Sequence, residues 1–549
     1  MALAEVADAV AAAMRAGRVG DKAQLHTAKR DAAAARGMAA PSDADLAPLL
    51  PADLRDSFAA ILRTKPSRSA SGVAVVAVMS SPAACPHGKC TFCPGGPDVD
   101  APQSYTGFEP STMRAKQFGY DAYCIVRGRL AQLARNGHAI DKVEVVVQGG
   151  TFPARDPAYQ DWFVAGIFAG LNDGPGDGAW DTEAAWQALG EAERSARLLA
   201  LQQANETATC RCVALAIETK PDWCLQPHVD GMLRLGATRI EVGLESLDDE
   251  VLRLTHRGHT LAESAQALQV ARDAGFKVCA HIMPGLPRPP VDGKLDPDPE
   301  SDLREFATLW TDPRWRPDML KIYPTLVVME GETTLKRQWQ RGEFTPYDTA
   351  AATRVVAAMK PLVPEYCRIQ RIDRDIPTTH VEAGVLNSNL RQLAQQAMAA
   401  DGKACRCIRC REVRDQAPAG EPVLRRLDYA ASGGSEVFLS FETDDRVAGF
   451  LRLRRVGPDA HRPEAQAAGG CAFVREVKVY GTATRIGDDP ELGAWQHRGL
   501  GARLMAEAER IAFTEWGVRR LLVIAGWGVK PYYRRQGYSD CGPYLAKDG

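Results

Sequence analysis

Three cysteines, Cys85, Cys90 and Cys93, stand in the segment AACPHGKCTFCPGGP with the spacing C-x4-C-x2-C. Three thiolates on one loop can hold three irons of a 4Fe-4S cluster and leave the fourth iron open. An open iron can chelate the amino and carboxylate groups of S-adenosylmethionine, whose sulfonium one electron then cleaves. Pro86, Gly88, Pro94, Gly95 and Gly96 let the loop wrap a cluster closely. Two other chemistries share the spacing. A structural zinc site needs a fourth ligand, for which His87 is the near candidate. A plant-type 2Fe-2S centre needs a distant fourth cysteine, for which Cys124 is the candidate.

A second group, Cys405, Cys407 and Cys410, reads C-x-C-x2-C and favours zinc, with His380 a candidate fourth ligand. A third constellation lies near the C-terminus. Gln496-His497-Arg498-Gly499-Leu500-Gly501 fits the Q-x-x-G-x-G pattern of acetyl-CoA-dependent N-acetyltransferases. Glycines at a helix start let backbone N–H groups approach a pyrophosphate. Downstream, Tyr532 and Tyr533 are candidates to protonate a departing thiolate, against the plainer reading of aromatics packed into a sheet.

These residues need elements to position them. Apolar runs at Val73–Val78, Val143–Val147, Val213–Ile217, Arg239–Leu244, Lys277–Met283 and Leu320–Leu326 alternate with helical segments. Six such βα units predict a parallel sheet, open or closed, with ligands at the C-terminal ends of its strands. Gly149, Gly150 and Thr151 end the second strand, Glu218 the third, Glu245 the fourth, and Lys321 and Tyr323 the sixth. Together they make a cofactor mouth, with Glu245 placed to reach ribose hydroxyls. Strands at Val437–Phe441, Val447–Val456, Ala472–Tyr480 and Arg520–Ala525 begin a second pattern. The expected architecture is α/β: a partial (β/α)6 barrel over 70–365, a Cys/Arg-rich connector over 366–418 and a mixed α/β acetyltransferase domain over 419–549. Residues 1–69 read as a helical segment with Leu3, Val6, Val10 and Met14 at helical spacing.

Composition limits the classes. The chain has 549 residues, enough for two to four domains of the usual ~100–200 residues. Its 67 basic and 69 acidic residues leave a net charge of −2, so a nucleic-acid partner must be sought in local patches. Such patches are the N-terminal Arg15, Arg18, Lys22, Lys29, Arg30 and Arg36, and the connector's Arg368, Arg371, Arg374, Arg391, Lys403, Arg406, Arg409, Arg411 and Arg414. Either can be a solvated face or a phosphate-tracking surface. The 14 cysteines are clustered, as metal ligands in a reducing compartment are. No apolar run approaches a membrane span and the N-terminus does not read as a signal peptide, so a cytoplasmic protein is expected.

The cysteine and glycine signatures, in this order, resemble the catalytic subunit of the Elongator complex, a family also found as stand-alone enzymes in bacteria and archaea. The resemblance runs over nearly the whole chain, through CPHGKCTFCPGG, EPSTMRA, GGTFP, IETKPDWC, MLRLGATRIEVGLES, RGHT, LKIYPTLV, RIDRDIP, REVKVYGT, QHRGLG and YYRRQGY. It implies radical S-adenosylmethionine chemistry that forms 5-carboxymethyluridine at the tRNA wobble position. A deoxyadenosyl radical takes hydrogen from the acetyl methyl of acetyl-CoA, the carbon radical adds to the base, and the thioester is hydrolysed. The implied partners are the tRNA anticodon stem-loop and an external electron donor, with a homodimer or Elongator-like subunits as the assemblies it admits. Lys321 and Tyr323 match a family segment facing the reaction chamber. Lys220 stands where the family pattern expects arginine, and Glu245 where it expects glutamine. Outside the resemblance, the residues also admit a protein lysine acetyltransferase with a structural iron-sulfur module, or a tRNA-binding scaffold without turnover.

Overall fold

The computed structural model describes residues 2–65, 69, 72–413, 420–481 and 499–549. β1 (Ala74–Met79), β2 (Lys142–Gln148), β3 (Arg211–Thr219), β4 (Arg239–Glu245), β5 (Lys277–Ile282) and β6 (Met319–Ile322) pair in parallel in chain order and curl into an open half-barrel. The sixth strand is shorter than its apolar run suggests. Pro324 follows Tyr323, lacks an N–H and cannot continue the ladder. Helices cover the outer face. The 17-residue helix Pro157–Asp173 is buried on almost every side, as its nearly all-round apolar sequence requires.

β7 (Val327–Val328) and β9 (Val381–Ala383) form a small antiparallel ribbon, and between them β8 (Arg368–Ile372) joins β6 as a seventh parallel strand. The sequence reading gave residues 368–372 to the connector. They belong to the first sheet, and their three arginine and glutamine side chains hid the strand. Arg368, Arg371 and Gln370 all line a cleft inside the half-barrel rather than solvent.

The second sheet is mixed, in the order β10 (Val423–Ala431), β11 (Gly434–Thr443), β12 (Arg446–Arg455), β13 (Cys471–Val479), β14 (Arg520–Val523), β16 (Tyr544–Asp548), β15 (Ser539–Cys541). Only β13 and β14 run parallel. β10 escaped the sequence reading because, as an edge strand, it leaves Val423, Leu424 and Leu427 exposed beside Arg425 and Arg426 and shows no alternation.

The two sheets meet across a charged, buried interface. Arg475 on β13 donates to both carboxylate oxygens of Asp318 (2.7 Å each) and to Glu436 (2.7 Å). Arg454 reaches Asp273 (2.7 Å) and Glu436 (2.9 Å). All five side chains are fully or almost fully buried. Glycine backbone makes the seam close: a Cβ on Gly526 would lie 2.4 Å from the Val213 carbonyl on β3.

The N-terminal helices Ala2–Arg15 and Lys22–Ala34 have their own core of Val6, Val10, Met14, Leu25, Leu46 and Leu54. Lys29 is buried there against Asp43, which also pairs with Lys22 (2.6 Å). Lys29 is therefore a structural cation and not part of a phosphate-tracking face. Among the described residues no helix is long and apolar enough to cross a membrane.

Candidate functional site

The loop after β1 brings Cys85, Cys90 and Cys93 to one cavity at the C-terminal rim of the half-barrel. None is disulfide-bonded. Each sulfur has a fixed neighbour: Thr151 Oγ1 at 3.4 Å from Cys85, the Arg257 guanidinium at 3.3 Å from Cys90, and the Ser104 N–H donating to Cys93 at 3.1 Å. Burial, with Cys90 alongside, pushes the Cys93 thiol up to about 12, so metal binding there must displace a proton. Cys124 lies elsewhere, on the helix Ala122–Arg135, with its thiol against the Gly178 carbonyl. The 2Fe-2S alternative therefore lacks its fourth ligand. His87 sits beside the loop, its Nε2 3.3 Å from Cys90 Sγ. Burial and the charges of Lys220 and Arg257 hold its imidazole neutral, down to about 4.

The opposite wall is built from strand ends. Gly149 and Gly150 take φ +125° and +86°, and a Cβ on Gly150 would meet Cys85 Sγ at 3.8 Å. That contact is an ordinary one, so it is the left-handed backbone, and not lack of space, that favours glycine at 150. Glu245 adopts φ +67° at the end of β4, where a register shift turns its side chain into the cavity. One carboxylate oxygen lies 3.5 Å from Arg257, while the other is buried without a hydrogen-bond partner. Lys220, the other departure from the family pattern, lines the same cavity and pairs with Asp222 at 3.1 Å. Three free thiols, bare glycine backbone and an unsatisfied buried carboxylate fit a 4Fe-4S cluster with a polar ligand beside it.

Glu218 accepts from Tyr105 Oη (2.7 Å) and faces Lys321 Nζ at 3.3 Å. Lys321 also pairs with Glu241, which Arg239 contacts at 2.9 Å and His281 at 3.4 Å. Burial alone would raise the Glu241 carboxyl, but Lys321 and Arg239 hold it well below the carboxylate range. Tyr323 packs edge-on to His281, 5.5 Å between ring centres. The sequence reading missed Tyr105, Arg239, Glu241, Arg257 and His281. Their signal was present: Glu144, Arg239, Glu241, Lys277 and His281 recur at alternate positions on central parallel strands, which should be apolar on both faces if packed. Alternating charge there marks a lumen.

That lumen is a large cleft. It runs from Gln148, Lys321 and Arg371 past Glu144, Lys277 and Lys478 to Gly499, Gly501 and Tyr532 of the second domain. Gly499 has φ +73° and caps the helix Leu500–Glu509. A Cβ on Gly501 would lie 3.0 Å from Tyr532 Oη, so the hydroxyl stands at the helix start. Tyr533 is buried against Tyr532 and Tyr538. Gln496, His497 and Arg498 lie outside the described residues.

The sulfur atoms of Cys405, Cys407 and Cys410 lie within 4.8 Å of one another. His380 is not with them. Its imidazole meets the Glu330 carboxylate and stacks on Phe108. The connector arginines are mostly engaged: Arg411 is buried on Glu442 (2.9 Å), Arg406 pairs with Asp445 (2.7 Å), and Arg409 donates to the Gln370 carbonyl (2.9 Å). Arg371, Arg391 and Arg409 face the cleft, whereas Arg414 is outside the described residues.

The Radical SAM superfamily profile matches residues 79–292 and the Radical_SAM C-terminal domain residues 317–400. The second match takes in β8, in keeping with its place in the first sheet. The chain is 43% identical over 525 residues to a tRNA uridine(34) acetyltransferase of Methanocaldococcus infernus, covering 93% of this chain and 92% of that protein. It is 38% identical to Elongator complex protein 3 of Homo sapiens, covering 99% and 96%. The solved structure of the archaeal Methanocaldococcus infernus Elp3 with an N-terminal deletion superposes with a TM-score of 0.71 at 38% identity, over 87% of this chain and all of that one. Such likeness along almost the full length of both chains, with the cysteine loop and its strand ends in place, makes this chain a member of the Elongator protein 3 family of radical S-adenosylmethionine proteins.

Proposed function

We propose that the protein forms 5-carboxymethyluridine at the wobble position of tRNA from acetyl-CoA, with S-adenosylmethionine as radical source. One observation carries the reading. The cysteine cavity and the cleft ending at Gly499, Gly501 and Tyr532 share Gln148, Ser111, Arg371 and Asp375 as walls. A radical site and an acyl-donor site opening on one lumen suit a reaction that joins an acetyl carbon to a base. The names of the relatives, tRNA uridine(34) acetyltransferase among them, agree.

Cys85, Cys90 and Cys93 hold the cluster, and Gly149, Gly150, Thr151, Glu218 and Glu245 hold S-adenosylmethionine. When bound, the pair supplies one-electron cleavage to a carbon radical. Lys321, fixed between Glu218 and Glu241, lines the cleft next to Glu218 of the cysteine cavity, where its ammonium can turn toward substrate. Such a charge stabilises negative charge developing on a thioester or uracil oxygen in a site of low dielectric. Tyr323, buried beside it, is placed to move a proton. Gly499 and Gly501 open the helix start to the pyrophosphate of acetyl-CoA, and Tyr532, more than Tyr533, stands where a departing thiolate would take a proton. Cys405, Cys407 and Cys410 fit three of the four ligands of a zinc ion. The Ile408 N–H between those cysteines donates to the carbonyl of Cys367, just before β8, at 2.9 Å and ties the loop to the first sheet.

The test is anaerobic reconstitution with iron and sulfide, then assay of CoA release with an anticodon stem-loop bearing a wobble uridine. Release that rises with the stem-loop and disappears when Cys85, Cys90 and Cys93 are all alanine is expected. CoA release indifferent to the stem-loop but stimulated by lysine peptides would replace this reading with a protein acetyltransferase.

A further inference from the structure

The mouth of the cysteine cavity carries an aromatic surface that the proposed chemistry does not use. Phe108 lies in the short stretch between Tyr105 and Glu109, both cavity-lining, and is 42% exposed. Its ring stacks on the His380 imidazole, 4.1 Å between centres and 22° between planes. His380 is itself fixed: Nδ1 meets Glu330, its N–H donates to the Pro377 carbonyl (2.9 Å) and its carbonyl accepts from Met329 N–H (3.0 Å). His380 follows Arg374, Asp375 and Ile376, which line the cavity from the other side. Two segments far apart in sequence thus build a rigid two-ring stack on the rim, with much of the outer ring in solvent. A large aromatic held in water by a polar buttress is poorly explained by packing, because the buttress adds no apolar cover.

We propose that Phe108, backed by His380, is the stacking platform for the unpaired base adjacent to the one that enters the cavity. The inference rests on the anticodon loop being the substrate. Extruding a base removes its stack on a neighbour, and a fixed aromatic face restores that stack for the base left outside. Stacking on a π-face is tolerant of base identity, so the platform places no demand on the neighbouring base. Arg374 on the cavity wall, whose guanidinium meets the Ser104 carbonyl and lies 5.9 Å over the Tyr323 ring, offers the rim a charge for a phosphate backbone, while Arg371 beside it is paired with Asp375. Phe108 is therefore a positioning residue.

The experiment uses the reconstituted holoenzyme and an anticodon stem-loop with 2-aminopurine on either side of the wobble uridine. Quenching on binding is expected at one of the two positions. Phe108→Trp should keep the quenching. Phe108→Leu, which retains the apolar volume, should abolish it and raise the stem-loop KM roughly 5- to 100-fold, the range that loss of one aromatic–base stack produces. Iron content and S-adenosylmethionine binding should not change in either variant. Unaltered quenching and KM in Phe108→Leu would overturn the platform while leaving the proposed function standing. Failure of the unsubstituted protein to bind or modify any stem-loop would overturn the substrate reading, and the platform with it.

Discussion

Lys321 and Glu241 form an ion pair whose two side chains are buried in the wall of the cleft. Removing one partner of such a pair leaves the other uncompensated and costs about 3–5 kcal/mol. Lys321→Met keeps the length of the side chain and should destabilise the protein by that order in urea denaturation at neutral pH. The sign of the pH effect follows from Glu241, whose carboxyl sits well below its ordinary 4.5. Its contribution is present above that ordinary value and is lost as pH falls toward the depressed one. The unsubstituted protein should therefore lose stability on acidification. In Lys321→Met the carboxyl protonates more readily, so the deficit relative to the parent should narrow at pH 5. A deficit unchanged there would mean that Arg239 and His281 alone hold the charge. Gly149 makes a second point at this scale. A Cβ there would sit 2.2 Å from Ser80 Oγ at φ +125°. Gly149→Ala should cost about 1–3 kcal/mol of strain and lower both the melting temperature and S-adenosylmethionine affinity. A melting temperature unchanged to within a degree would show that the loop gives way.

Among the elements, the helix Leu500–Glu509 depends on its cap. Gly499 is left-handed and has no neighbour within 4 Å of a Cβ position, so a side chain has room but pays about 1–2 kcal/mol of backbone strain. Gly499→Glu should fold, keep its iron, and lose at least about tenfold in acetyl-CoA affinity by calorimetry, because a carboxylate then occupies the end that favours anions. Equal affinity would remove the helix start from the acyl-donor site. The strands that position the cysteine cavity were legible in the sequence, because buried parallel strands are short apolar runs closed by glycine or proline. β8 and β10 were not, since one faces a charged lumen and the other solvent, and both break the pattern for different reasons. The cysteines, Gly149, Gly150 and Glu245 could be placed on one rim from spacing alone. Arg257 and Phe108 could not: their partners are far away in the chain, and nothing local distinguishes a guanidinium beside a sulfur from one in water.

At the scale of the whole molecule, the domains are joined by buried ion pairs set within an apolar core that runs through both sheets. Asp318 anchors them, with Arg475 and Arg272 holding its carboxyl far below the ordinary range despite burial. Its share of stability is therefore present at every pH above about the ordinary carboxylate value and lost only in strong acid. Asp318→Asn should cost about 3–5 kcal/mol, since three buried guanidiniums then face a neutral amide. Scanning calorimetry should resolve two transitions where the parent shows one, with the iron signal following the first. A single transition at an unshifted temperature would mean that Glu436 and Asp273 hold the interface unaided. The zinc reading has its own check at this scale. Metal analysis should find zinc that Cys407→Ser removes without loss of iron.

The ion pairs across the seam also set a timetable for synthesis. Asp318 and Arg475 are separated by 157 residues, and Asp273 and Arg454 by 181. At roughly 5–20 residues per second, each acid leaves the ribosome on the order of ten seconds or more before its arginine exists. During that interval Asp318 has Arg272 within its own half but not Arg475, and the surface that will meet the second sheet stays open to water and to other chains. The nascent half-barrel is thus a client for holding chaperones until β13 is made, and slowing translation within residues 420–475 should lower soluble yield more than slowing it after β13 is complete.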